Sequence, residues 1–114
     1  MRALKREEIE LLRAVALRLP EREQSRLISD IENSTAENIL PDGSQTRFII
    51  AGYDRPLYNG QQSLSVEGRM RDSDGVELTV LVYTDENGHL LELEMIRWGD
   101  GELIDPQWTT LKLV

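Results

Sequence analysis

Imidazole is the side chain best suited to proton transfer near neutral pH, and the chain holds one histidine, His89. It stands in Asn87-Gly88-His89, a composition that reads as a turn, so a solvent-facing turn residue is the expectation. No serine lies in a Gly-x-Ser-x-Gly elbow, and any triad would have to draw on this lone histidine. With no cysteine, a thiolate nucleophile, a thiolate metal site and a disulfide framework are excluded. Phosphate-cradling glycine loops of the Gly-x-x-x-x-Gly-Lys or Gly-x-Gly-x-x-Gly type are absent. Glu92 and Glu94 form a carboxylate pair of the type that does acid–base work. Two residues apart on a strand they share one face, and raised carboxylate pKa values require burial, so a solvated pair is expected.

Two acidic turns invite a calcium reading. Placing Gly88 at the sixth position of a calcium loop puts Asp85 third, Asn87 fifth and Glu94 twelfth, but Tyr83 first. Placing Gly75 there puts Asp72 third and Asp74 fifth, but Met70 first and Leu81 twelfth. Strand patterns flank both, so hairpin turns account for them. No cofactor and no metal are expected.

The elements that would position these residues follow from periodicity. Ile9, Leu11, Leu12, Val15, Ala16 and Leu19 fall within an arc of about 160°, a helix stripe. Pro20 breaks it and opens a second helix that buries Leu27, Ile28 and Ile31 and stops near Asn33. From there the period becomes two. Residues 36–40 read as a weak strand, Pro41-Asp42-Gly43 as a turn, residues 46–51 as a stronger strand, and residues 52–62, with Gly52, Pro56 and Gly60, as a loop. Leu64, Val66, Gly68 and Met70 alternate with polar residues, then Val76, Leu78, Val80 and Val82, then Leu91, Leu93 and Met95. Asp-Gly and Asn-Gly turns separate these runs, which predicts an antiparallel meander with Leu64, Val66, Gly68 and Met70 opposite Val82, Val80, Leu78 and Val76. The expected architecture is α+β, one domain over residues 1–114. Two helices (residues 5–33) cover one face of a meander-type sheet of about five strands (36–98), and a tail (99–114) packs across the sheet or adds an edge strand. Trp108 reads as core, while Tyr53 and Tyr58, in a loop with Asp54 and Arg55, are of the types that anchor interfaces.

Charge is distributed unevenly. Of a net −8 over 114 residues, the first 33 carry seven basic and seven acidic side chains, and the rest carry six and fourteen. Nucleic acid would be repelled and a basic protein attracted. The stretches without an apolar run of ~20 residues and without a signal-like start place the chain off the membrane and in the cytoplasm. On the sheet face away from the helices, Glu67, Glu77, Leu81, Tyr83, Glu92 and Glu94 are the expected partner-binding residues. Asp72, Asp74, Asp85 and Glu86 in the hairpin turns are second candidates.

The run Asp74-Gly75-Val76-Glu77-Leu78, with Tyr83-Thr84-Asp85-Glu86-Asn87-Gly88-His89-Leu90-Leu91-Glu92-Leu93-Glu94, resembles a family of small bacterial domains of unknown function. In those a leading helix precedes an antiparallel sheet carrying this hairpin. Related small acidic proteins act as immunity proteins in contact-dependent inhibition. The resemblance spans residues 64–98 and the opening helix, and implies no catalytic residue. It implies a non-enzymatic protein that masks a basic toxin domain, such as a nuclease. The alternatives are a regulatory module without a toxin, such as a homodimer joined at an edge strand, and an enzyme built around His89.

Overall fold

The computed structural model describes residues 1–57 and 61–114. Tyr58 and Gly60, read above as part of a loop, lie outside the described residues. Among the described residues, helix α1 (Arg6–Ala16) and helix α2 (Glu21–Glu32) are followed by seven strands: β1 (Ser34–Asn38), β2 (Gln45–Ile50), β3 (Gln62–Ser63), β4 (Gly68–Arg71), β5 (Glu77–Thr84), β6 (Leu90–Arg97) and β7 (Gln107–Leu113). The start of α1 is fixed by Glu8, whose carboxylate reaches back to accept from the Lys5 N–H at 2.8 Å, satisfying an amide the helix itself leaves open. Pro20 caps α2 in an extended conformation.

The α+β class is as expected, with the helices on one side of an antiparallel sheet. Leu11, Leu12, Val15, Ala16, Leu27 and Ile31 join Phe48, Met70, Leu78, Val80, Val82 and Leu93 in one buried cluster. The sheet is larger than expected, and its order is β1-β2-β6-β5-β4-β7, with β3 pairing β5. Only β4, β5 and β6 form a meander. The β1–β2 hairpin docks against β6 on one side, and the tail becomes an edge strand beside β4 on the other. A period of two states which face a residue takes but not which strand lies beside it, so this order is invisible to pattern.

Register differs too. Gly68 pairs with Val80 and Met70 with Leu78, two residues away from the expected partners. The reason is the turn: the Asp72 N–H donates to the Val76 carbonyl at 2.8 Å, and Gly75, at φ 89°, closes a three-residue loop of the left-handed type. In the next hairpin the Asp85 N–H donates to His89 O at 2.9 Å. Tyr83 then pairs with Glu92 and Thr84 with Leu90, leaving Leu91 as the extra residue of a β-bulge.

Candidate partner-binding site

Antiparallel register fixes the composition of the uncovered sheet face. Across one row stand Glu37, Arg47, Glu92 and Tyr83, across the next Gln45, Glu94 and Leu81, and across a third Ile96, Thr79, Arg69 and Lys112. Glu77, Leu81, Tyr83, Glu92 and Glu94 therefore share one face as expected, and Glu67 reaches Arg69 at 3.9 Å. This face is not acidic, however. Arg47, Arg69, Arg71 and Lys112 stand among five glutamates, and Glu92 is not presented to solvent. It is 1% exposed, accepting from Gln45 Nε2 at 2.9 Å and Arg47 Nη2 at 3.1 Å. A central-strand carboxylate ringed by neighbouring long side chains is enclosed by them. Glu94 is half-buried and accepts from the Tyr83 hydroxyl at 2.9 Å. Burial and this bond, with the charges of Glu94 and Glu92, push the Tyr83 phenol up to about 12.

The charge surplus lies at the ends of the sheet. Near the β4–β5 turn the segment between β6 and β7 returns past the β1–β2 turn, and three aspartates organise it. Asp72, fully buried, accepts from the N–H groups of Ser73, Ile104 and Asp105 at 2.8, 2.9 and 2.7 Å and from Arg97 Nη1 at 2.9 Å. Burial alone would raise its pKa, but these donors outweigh burial and hold it below the ordinary value. Asp74 pairs both oxygens with the Arg97 guanidinium at 3.0 and 2.6 Å, which with the Val76 N–H lowers it to about 2. Asp42 accepts from Ser44 and from the Leu103 N–H at 3.2 Å, and the Ser44 hydroxyl is the main cause of its lowered pKa. Asp100, Glu102 and Asp105 complete the group and are exposed. Six carboxylates thus meet two guanidinium groups, Arg97 and Arg71, whose Nη1 donates to the Gly75 carbonyl at 3.0 Å, four negative charges in excess. The adjoining start of α1 adds Arg2, Lys5 and Arg6 against Glu7, Glu8 and Glu10, which cancel. Ile104, 60% exposed, projects from the middle of this acidic pole.

At the opposite end a second polar assembly involves residues whose roles the sequence did not suggest. Asp85, expected at the surface, is buried. It accepts from the Tyr53 hydroxyl at 2.6 Å, Arg55 Nη1 at 2.9 Å and the N–H groups of Asn87 and His89 at 2.9 and 3.0 Å. Burial opposes ionisation there, yet the donors keep its pKa low. Arg55 Nη2 also donates to the carbonyls of Phe48 and Leu90, each at 2.9 Å, bridging β2 and β6 where their pairing ends. His89 is not a free turn residue. Its Nδ1 lies 3.0 Å from Asp30 Oδ1, and its ring packs on Tyr53 at a centroid distance of 4.3 Å. Asp30 is buried and also accepts from the Leu90 N–H at 2.9 Å. The available signal was Asp30 itself, an acid within the Leu27–Ile31 stripe of α2, since aspartate is almost never buried without a partner. Glu86, at the tip of this hairpin, is exposed.

Among the described residues no three or more His, Cys, Asp or Glu side chains are arranged to hold a metal ion. Nor, among those residues, is any helix long and apolar enough to cross a membrane. A family model described as "Domain of unknown function (DUF6984)" matches residues 1–107, nearly the whole chain. The chain belongs to the DUF6984 family. No curated protein and no solved structure matches it. The DUF6984 match takes in both helices, β1 to β6 and the acidic pole, and it ends at the residue where β7 begins.

Proposed function

We propose that this DUF6984 protein binds and neutralises a basic protein partner, as an immunity protein masks a toxin domain, and that it does so through the acidic pole and not through the sheet face. The observation that carries this reading is the excess of four negative charges around Ile104. Exposed carboxylates around an apolar side chain match the anatomy of a protein interface, with a desolvated centre and a charged rim. Asp72, Asp74 and Asp42 are held by donors within the chain, so they shape the site. Asp100, Glu102 and Asp105 are the groups left to meet lysine and arginine. Asp72 stays ionised despite its burial because its donors outweigh desolvation, and the overall −8 steers a cationic partner toward the pole.

The test takes a candidate basic toxin domain, sought first in the reading frames beside this one, and titrates it calorimetrically at low and at high salt. Asp100→Lys with Glu102→Lys should weaken binding by ~10-fold or more, mainly through a slower association, and should abolish protection of cells expressing that domain. Unchanged affinity and protection in a folded double variant would show the pole to be uninvolved. Reversal of Glu92 is not a clean probe, because a lysine there would be buried against Arg47.

A further inference from the structure

The uncovered sheet face borders the acidic pole, with Arg71 Nη1 donating to the Gly75 carbonyl of the β4–β5 turn at 3.0 Å, and has a pattern of its own. Toward β1 and β2 it carries Glu37, Glu92 and Glu94 with Arg47. Toward β4 and β7 it carries Arg69, Arg71 and Lys112 with Glu67 and Glu77. One half is net negative and the other net positive. The positive half is also hollow: Arg69, Arg71, Glu77, Thr110 and Lys112 line a depression of about 150 Å³. Between the halves runs an apolar strip of Leu81 and Ile96, extended by Trp98. That indole is 68% exposed, yet it is fixed in place by a bond from Nε1 to Thr79 Oγ1 at 2.7 Å. A large aromatic ring held rigid on an open surface loses little conformational entropy when covered, as interface anchors require.

A face with opposite charges on its two halves is complementary to itself. A two-fold axis lying in the interface sets the negative half of one copy over the positive half of the other, twice, with the apolar strips in contact. Such isologous pairing is the commonest form of oligomer. We infer that this sheet face binds the same face of a second copy of the chain, with Glu37 and Glu94 of each copy entering the hollow of Arg69, Arg71 and Lys112 on the other. Six strands spaced ~4.8 Å apart give a face of roughly 600 Å² in projection, the scale of a standard interface at about 800 Å² per partner. At the β1 edge, the Arg2 bridge already occupies the backbone of Ala36 in the middle of the strand. The inference is independent of the acidic-pole reading.

The experiment is a sedimentation-equilibrium measurement at ~100 µM and low salt, where a micromolar dimer is populated. The parent chain should weigh twice its 13.1 kDa. Glu37→Arg with Glu94→Arg makes both halves positive, and Arg69→Glu with Arg71→Glu makes both negative. Each double variant should be monomeric, and an equimolar mixture should return to the dimer mass, because each half then meets its opposite. That recovery separates lost complementarity from lost folding. A monomeric parent, or variants that remain dimeric alone, overturns the inference. Neither result bears on toxin binding by Asp100 and Glu102.

Discussion

Asp72 accepts four hydrogen bonds in a site closed to water, and each donor belongs to a segment that it joins to the sheet: the turn, β6 and the connection to β7. Truncation would leave Arg97 and three amides without that acceptor. Asp72→Ala should destabilise the fold by about 3 kcal/mol, as loss of one member of a buried ion pair does, measured by urea denaturation. Ile104 should become mobile at the same time. The pH dependence follows from the same groups. Asp42, Asp72, Asp74 and Asp85 all titrate below their ordinary value in the folded chain. The stability they provide is therefore complete above an unfolded aspartate pKa of about 3.9 and is lost as pH falls through the folded values, reaching about 2 for Asp74. Thermal melts should show a steep decline below pH ~4, and Asp72→Asn should flatten it. Tyr83 behaves in the opposite sense. Its phenol is raised to about 12, so its contribution is complete below an unfolded pKa of about 10 and is lost as pH rises from there through the folded value. Tyr53 is raised as well, by burial and its bond to Asp85, so absorbance at alkaline pH should show both tyrosines ionising late, and Tyr83→Phe should remove the step near 12.

Elements are held in place here by side chains as much as by ladders. The β2–β6 pairing covers three residues, Gln45 to Arg47, and beyond it the guanidinium of Arg55 takes the place of the missing backbone bonds. Arg55→Ala would leave the carbonyls of Phe48 and Leu90 and the buried Asp85 carboxylate short of donors. A loss of roughly 2–4 kcal/mol is expected. Hydrogen exchange should localise the opening, with amides of β2 and the start of β6 accelerated before those of β4 and β7. The β5–β6 turn offers a second check. Gly88 has φ 79°, and a Cβ there would lie 2.5 Å from Arg26 Nη1, the atom that donates to Asn87 O at 3.0 Å. Gly88→Ala adds left-handed strain of about 1–2 kcal/mol and displaces Arg26, loosening the contact of α2 with the hairpin.

At the scale of the molecule, the two helices and the sheet face are near neutral, and the negative charge is held at the sheet ends. Attraction between this protein and a cationic partner should accordingly depend on where the salt acts. Raising ionic strength should slow association with that partner and shift the proposed dimer toward monomer, since exposed opposite charges are screened by salt. Duplex DNA should not be retained at ~150 mM salt, for want of the cationic surface such binding rests on.

Helices, strand runs and both acidic hairpins were legible in residues 5–97, because stripes at 3.6 and alternation at 2 report which side of an element is buried. The net charge and its confinement to residues 34–114 were equally plain. Tertiary structure alone decided that β2 lies beside β6, that the tail adds β7, and that Glu92, Asp72 and Asp85 are enclosed while Asp100, Glu102 and Asp105 are open. Alternation assigns a glutamate to a face, but whether that face leaves it to water depends on which cation lies across the next strand. That neighbour, Arg47 for Glu92 or Arg97 for Asp72, is set by strand order and turn length, which non-local packing selects.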